Sequence, residues 1–191
     1  MDSQKKTDNA FLEAKLSLRR HMLQKYHAQK RVRVFDACQG SGVLWAHLRR
    51  EFQCEYWGVD VKPKPGRLTI QSERLLDLPG WDFDVIDVDT YGEPWKHWQG
   101  ICKHGSHALT VFLTIGLVKM MGGNAGNAIL EMAGIRFTKM PNALKGRIVE
   151  RLHDYALWSC REHGWTIPYI AEATVIGRAT ARYLGVRLEK A

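Results

Sequence analysis

The sequence predicts a single α/β domain: a mostly parallel sheet with helices on both faces and an antiparallel hairpin at its C-terminal end. Three observations carry this. An alternating apolar run over residues 32–35 reaches a carboxylate at Asp36, turns at Gly40 and Gly42, and continues as a helical pattern through Val43, Leu44 and Leu48. Strand-like and helix-like stretches then alternate as far as Ile115. Two final strand-like stretches, 165–176 and 181–188, are joined by the short Gly177-Arg-Ala-Thr180 link of a hairpin.

Composition bounds the function. At 191 residues and 45% apolar content, one domain with a substantial core is expected. No apolar run reaches the length of a membrane span, and residues 1–9 are polar, so a cytoplasmic protein with no membrane partner is expected. The four cysteines, Cys38, Cys54, Cys102 and Cys160, form no Cys-x-x-Cys pair. Reduced thiols are expected, with neither a disulfide framework nor a zinc site. A net charge of +8 suits an acidic partner such as nucleic acid. Nine lysines and arginines face three acids between residues 1 and 33, and Lys62, Lys64 and Arg67 crowd one loop.

The chain opens on a helical stripe over residues 11–26, with Leu12, Leu16, Leu23 and Tyr26 apolar and Asp8 or Asn9 as N-cap. Arg19, Arg20 and Lys25 read as its solvated basic face. This helix, within residues 1–30, is expected to pack on one domain spanning 31–191. Residues 56–59 form the second strand, ending at Asp60; an acid closing that strand of a nucleotide-binding unit accepts hydrogen bonds from ribose hydroxyls. The loop 61–67, with two prolines and a glycine, is stiff and cationic. Its charges suit either phosphates or solvent. A short third strand follows over 68–71.

Residues 83–88 read as a buried strand, with Asp87 and Asp89 at its carboxyl end, where an open α/β sheet binds its ligand. Pro94 opens a helix carrying Trp95, Trp98 and Ile101 on one side, and residues 108–115 form an apolar central strand. Gly122 to Asn127 suits either a lid hinge or an ordinary loop, and a short helix is expected over 128–132. A longer helix spans 142–163, with Leu144, Ile148, Leu152 and Tyr155 on one face and Gly164 as its stop; Arg147, Arg151 and His153 read as solvated. Pro168 marks a bulge or an unpaired side in the strand that follows.

Two stretches resemble a known family. The segment Asp36-Ala-Cys-Gln-Gly-Ser-Gly42 is similar to motif I of the class I S-adenosylmethionine (SAM)-dependent methyltransferases, in the form common among nucleic-acid enzymes. The resemblance implies a Rossmann-like, seven-stranded fold with SAM as cofactor. It also implies cofactor contacts from Asp36, Cys38, Gly40, Ser41 and Gly42, the ribose on Asp60, and Asp87 beside the cofactor crevice. Glu73 is the residue chosen for the adenine amino group, with Asp77 and Asp82 as competitors. The stretch Asp87-Val-Asp89-Thr-Tyr-Gly-Glu-Pro94 resembles motif IV of amino-methyltransferases, most closely that of the tRNA guanine-N2 dimethyltransferases, with Thr90 where that family has proline.

The chemistry fits those residue types. An amino nitrogen on a base has its lone pair delocalised into the ring, so an acceptor for its hydrogen makes it a better nucleophile. Asp89 is the candidate acceptor, and Tyr91 the candidate stacking ring, a contact worth ~1–3 kcal/mol per base. In the alternative reading Asp89 caps the next helix and Tyr91 packs in the core. Cys102 reads as structural, because the Pro-Cys pair of cytosine-5 enzymes is absent. The expectation is therefore methyl transfer to an amino nitrogen of a nucleic-acid base, RNA favoured and tRNA included, with a partner subunit considered for target recognition. DNA, protein or small-molecule acceptors, and a methyltransferase-like binding module without catalysis, are the rivals. Neither the Gly-x-Gly-x-x-Gly of NAD enzymes nor a phosphate-cradling Gly-x-x-x-x-Gly-Lys-Ser/Thr occurs.

Overall fold

A computed structural model describes residues 11–90, 92–116, 129, 142–173 and 181–191. The elements run α1 (Leu12–His27), β1 (Val32–Asp36), α2 (Val43–Leu48), β2 (Cys54–Asp60), β3 (Leu68–Thr69), α3 (Ser72–Leu76), β4 (Val85–Val88), α4 (Trp95–His104), β5 (Leu109–Gly116), α5 (Asn142–Trp158), β6 (Trp165–Glu172) and β7 (Ala181–Lys190). The strands form one seven-stranded sheet in the order β3-β2-β1-β4-β5-β7-β6. Strands β1 to β5 pair in parallel, and β7 runs antiparallel to both β5 and β6. The chain winds outward from β1 in one direction and from β4 in the other. The crevice at the carboxyl ends of β1 and β4 is therefore the topological switch point, where such sheets bind ligands.

Side chains alternate across the sheet, which builds two separate cores. Val32, Val34, Val85 and Phe112 pack under α1 and α2 with Leu16, Met22, Leu23, Trp45 and Leu48. Phe35, Ile86, Val88 and Val111 pack on the other face with Leu76, Trp95, Trp98 and Ile101. The expected apolar side of α4 is fully buried, and Gly100 lets α4 approach the backbone of α3: a Cβ there would lie 2.9 Å from the Leu76 carbonyl.

Several expectations change. The N-cap of α1 is Phe11, in left-handed backbone at φ 63°, and not Asp8 or Asn9, which lie outside the described residues. The third strand shortens to an exposed edge of two residues, and Ser72 and Glu73 begin the short helix α3. The 142–163 helix ends at Trp158 and continues as a 3₁₀ turn over Ser159–His163, stopped by Gly164 at φ 73°. Its buried face is rotated from the expected one: Tyr155 is exposed, whereas His153 is buried and accepts a hydrogen bond from Trp95 Nε1 at 3.0 Å. Apolar spacing alone could not find this, because the partner is an indole N–H from another helix. Pro168 lies in the edge strand β6 within a register shift between Thr166 and Tyr169, as a residue lacking an N–H requires. Tyr91, the 122–127 glycine loop, nearly all of the 128–132 helix and the 177–180 link lie outside the described residues. Among the described residues no helix is long and apolar enough to cross a membrane.

Candidate functional site

The glycine turn after β1 is held by a closed set of hydrogen bonds. Gly40 and Gly42 have φ of 53° and 74°, a region where a side chain is strained. Gly40 donates its N–H to Asp60 Oδ2 at 2.9 Å, and its carbonyl accepts from Arg67 Nη1 at 2.6 Å. Asp60 Oδ1 accepts the Lys62 N–H at 2.9 Å, and Arg67 also bonds the Lys62 carbonyl and lies 3.4 Å from Asp60. Of the loop cations, Arg67 is therefore turned inward onto the turn, while Lys62 and Lys64 stay exposed. Ser41 is exposed at the tip, and Cys38 donates its N–H to Asp36 Oδ1 at 3.3 Å. Gly58 supplies room from the neighbouring strand, since a Cβ there would come within 2.5 Å of Tyr56 Oη and 2.8 Å of the Gln39 side chain.

A row of carboxylates lies on the α1 side of the sheet. Asp36 and Asp87 are register partners on β1 and β4, and Asp89 follows two residues beyond Asp87 on the same face. Asp87 is 1% exposed and accepts from Arg19 Nε and Nη2 at 2.7 and 2.6 Å and from Trp45 Nε1 at 2.7 Å. Asp36 accepts from Tyr56 Oη at 2.7 Å. Burial and the nearby Asp87 hold the Asp36 carboxyl well above the ordinary range, and the Tyr56 hydroxyl, Cys38 N–H and Arg19 offset this only in part. Asp89 accepts from Lys15 Nζ at 2.7 and 3.0 Å and from Thr114 Oγ1 at 2.6 Å. Burial pushes Asp89 up, but Lys15, Arg19 and the hydrogen bonds outweigh it and leave its carboxyl below the usual value.

Asp87 is a buried ion-pair residue at the carboxyl end of β4, with its carboxylate held by Arg19 and Trp45. The basic face expected to be solvated on α1 is only partly so. Arg20 pairs with Glu51 near the surface and Lys25 is exposed, but Arg19 is 1% and Lys15 8% exposed. The sequence carries only part of a signal for this, because which strand α1 covers is decided by the tertiary structure. Lys15, Arg19 and Met22 recur at helical spacing beside the leucine stripe, and the next strand to meet them carries acids two residues apart.

The other predicted residues are more scattered. Glu73 lies in the first turn of α3, 3.8 Å from His97 Nε2, which bonds Ser72 Oγ at 2.8 Å. Burial holds the His97 imidazole below its usual value, the nearby Glu73 opposing. Asp77 pairs with Lys103, and Asp82 with Arg33. Cys102 is buried, with its thiol pushed up by burial, and its carbonyl accepts from Trp165 Nε1 at 2.7 Å. The structure thus gathers the turn from Cys38 to Gly42 with Asp60 on one side of the switch point and Asp89 on the other. Arg67, Lys15, Tyr56, Trp45 and Thr114 also contribute, and sequence pattern alone does not assign them.

No protein-family model matches the sequence. Solved structures do match in fold. Trm1 from Pyrococcus horikoshii, solved with S-adenosyl-L-methionine, superposes with a TM-score of 0.64 at 14% identity over 94% of this chain. This chain spans 54% of that structure's length. M. jannaschii TYW2 with AdoMet gives 0.53 at 11% identity, covering 94% of this chain and 77% of that one. The plantazolicin methyltransferase BamL, with a triazolic desmethylPZN analog and SAH, gives 0.58 at 11% identity, covering 98% and 87%. The strand order, the direction of each strand and these superpositions agree: the chain carries the Rossmann-like fold of the class I methyltransferases.

Proposed function

We propose that the protein is a SAM-dependent N-methyltransferase acting on an amino nitrogen of a nucleic-acid base, with RNA the favoured acceptor. The observation that carries the reading is the pairing, across the switch point, of a glycine turn tied to Asp60 with a carboxylate at Asp89. The donor set suits the cofactor. The turn offers backbone that no Cβ shields, and Asp60 keeps an acceptor position on Oδ1 for a ribose hydroxyl.

When bound, SAM supplies an activated methyl on sulfur. The chain's own residues then hold and orient the partners: the Cys38–Gly42 turn and Asp60 on the cofactor, with Glu73 toward the adenine. Asp89 accepts an N–H of the target amino group and thereby enriches the nitrogen lone pair. Most of the acceleration comes from orientation. RNA is favoured by the motif IV resemblance together with the net charge of +8, and Tyr91 is the proposed stacking ring.

The test is calorimetric titration with S-adenosylhomocysteine, comparing wild type with Asp60→Ala. Micromolar binding, about −8 kcal/mol, that weakens in the variant supports the cofactor and its seat together. Absence of heat and of thermal stabilisation in the wild type overturns the reading. Methyl transfer to RNA, DNA, protein and small-molecule pools, lost in Asp89→Ala, then identifies the acceptor class.

A further inference from the structure

Lys15 and Arg19 stand one helical turn apart on α1 and meet Asp89 and Asp87, which β4 brings to one face two residues apart. The Arg19–Asp87 pair is sealed from water. The Lys15 and Asp89 side chains keep 10% and 25% exposure. An ionised carboxylate has about four acceptor positions. Lys15 and Thr114 take two on Oδ1, and Lys15 takes one on Oδ2, so among the contacts of the described residues one position on Oδ2 is open. The charges also close in pairs, Asp87 with Arg19 and Asp89 with Lys15. Among the described residues Arg19 also acts on Asp89 but is already paired with Asp87, and burial pushes up the Cys38 thiol beside it and keeps it neutral.

Resting on the methyltransferase reading above, we infer that Lys15 is a positioning residue of the acceptor site, leaving Asp89 one open acceptor position for a single N–H of an uncharged amino group. The exocyclic amine of a base meets that description. A protonated alkylamine does not, because the paired site offers it no unbalanced negative charge, and a cation already stands beside the carboxylate. The N-terminal helix is thereby part of the site.

The experiment follows Asp89 by ¹³C-carboxyl NMR titration, its resonance assigned by loss in Asp89→Asn, in wild type, Lys15→Arg and Lys15→Met. Methyl transfer to RNA and to a lysine-rich peptide is measured against pH in parallel. Wild type and Lys15→Arg are expected to titrate below the ordinary aspartate value of about 3.9. In Lys15→Met, burial is no longer opposed, and the midpoint moves up by about 1–3 pH units. The acidic limb of RNA methylation moves with it, while S-adenosylhomocysteine affinity is unchanged. A wild-type midpoint at or above the ordinary value overturns the inference without any variant, as does an unchanged midpoint in Lys15→Met. Preference of the wild type for the peptide overturns the acceptor class. Failure of the wild type to bind the cofactor product overturns the methyltransferase reading, whereas the NMR midpoint still decides the Lys15–Asp89 coupling.

Discussion

Replacing Arg19 by Met removes the partner of the most deeply buried carboxylate described. Both side chains of the Arg19–Asp87 pair are 2% exposed, and Arg19 supplies two of the three hydrogen bonds that Asp87 receives. Methionine fills much of the arginine stem's volume, so the loss is chiefly electrostatic. Breaking a buried pair by removing one partner costs ~3–5 kcal/mol, because the remaining charge has no water to turn to. Here Asp36 lies alongside, and only Trp45 still donates. Against a total stability of ~5–15 kcal/mol for a domain, that is a large share, equivalent to a fall in Tm of about 6–20 °C. Urea unfolding followed by far-ultraviolet circular dichroism measures it. The double variant Arg19→Met/Asp87→Asn is expected to recover much of the loss, with a coupling energy toward the upper end of ~0.5–3 kcal/mol. A loss below ~1 kcal/mol, the range of exposed pairs, would refute the reasoning, since it would mean that water reaches Asp87.

Three further outcomes are expected. Gly100→Ala gains ~1 kcal/mol of helix propensity but drives a methyl onto the Leu76 backbone at 2.9 Å, an overpacking cost of ~1–3 kcal/mol; a net increase in stability would count against the close α3–α4 approach. Arg67→Ala opens the bonds to Gly40 and Lys62 and is expected to weaken S-adenosylhomocysteine binding about tenfold, or ~1.4 kcal/mol, an expectation that calorimetry defeats if affinity is unchanged. Burial, aided by Arg187 and Arg182, depresses His27 and His153 from 6.5 to about 4. The unfolded chain therefore takes up these protons first. Stability is full above about pH 6.5 and falls toward pH 4, by about 1.4 kcal/mol per pH unit for each histidine. Asp36, with its raised carboxyl, acts in the opposite sense: its contribution is present at low pH and lost as pH rises through its folded value. Two protons against one leave a net fall on acidification, and urea midpoints that do not change between about pH 7 and pH 5 would contradict this.

The fold was legible in the sequence because its signals are local. Period-two apolar runs ending in Asp36 and Asp60, the glycine turn between Asp36 and the Val43 helix, and Trp95, Trp98 and Ile101 at helical spacing each need only their neighbours in the chain. Gly40 and Gly42 were legible for the same reason, because positive φ is a property of single residues. Packing partners were not legible. Whether Lys15 and Arg19 face water or carboxylates depends on where α1 lies over β4, and whether His153 is solvated depends on Trp95 of another helix. Asp87 and Asp89 look equivalent in sequence, two acids at one strand end. Only the tertiary structure separates them, sealing Asp87 under α1 against Arg19 and Trp45 and leaving Asp89 at the crevice with Lys15, because a charge of known position acquires a role only when burial decides which opposite charge can reach it.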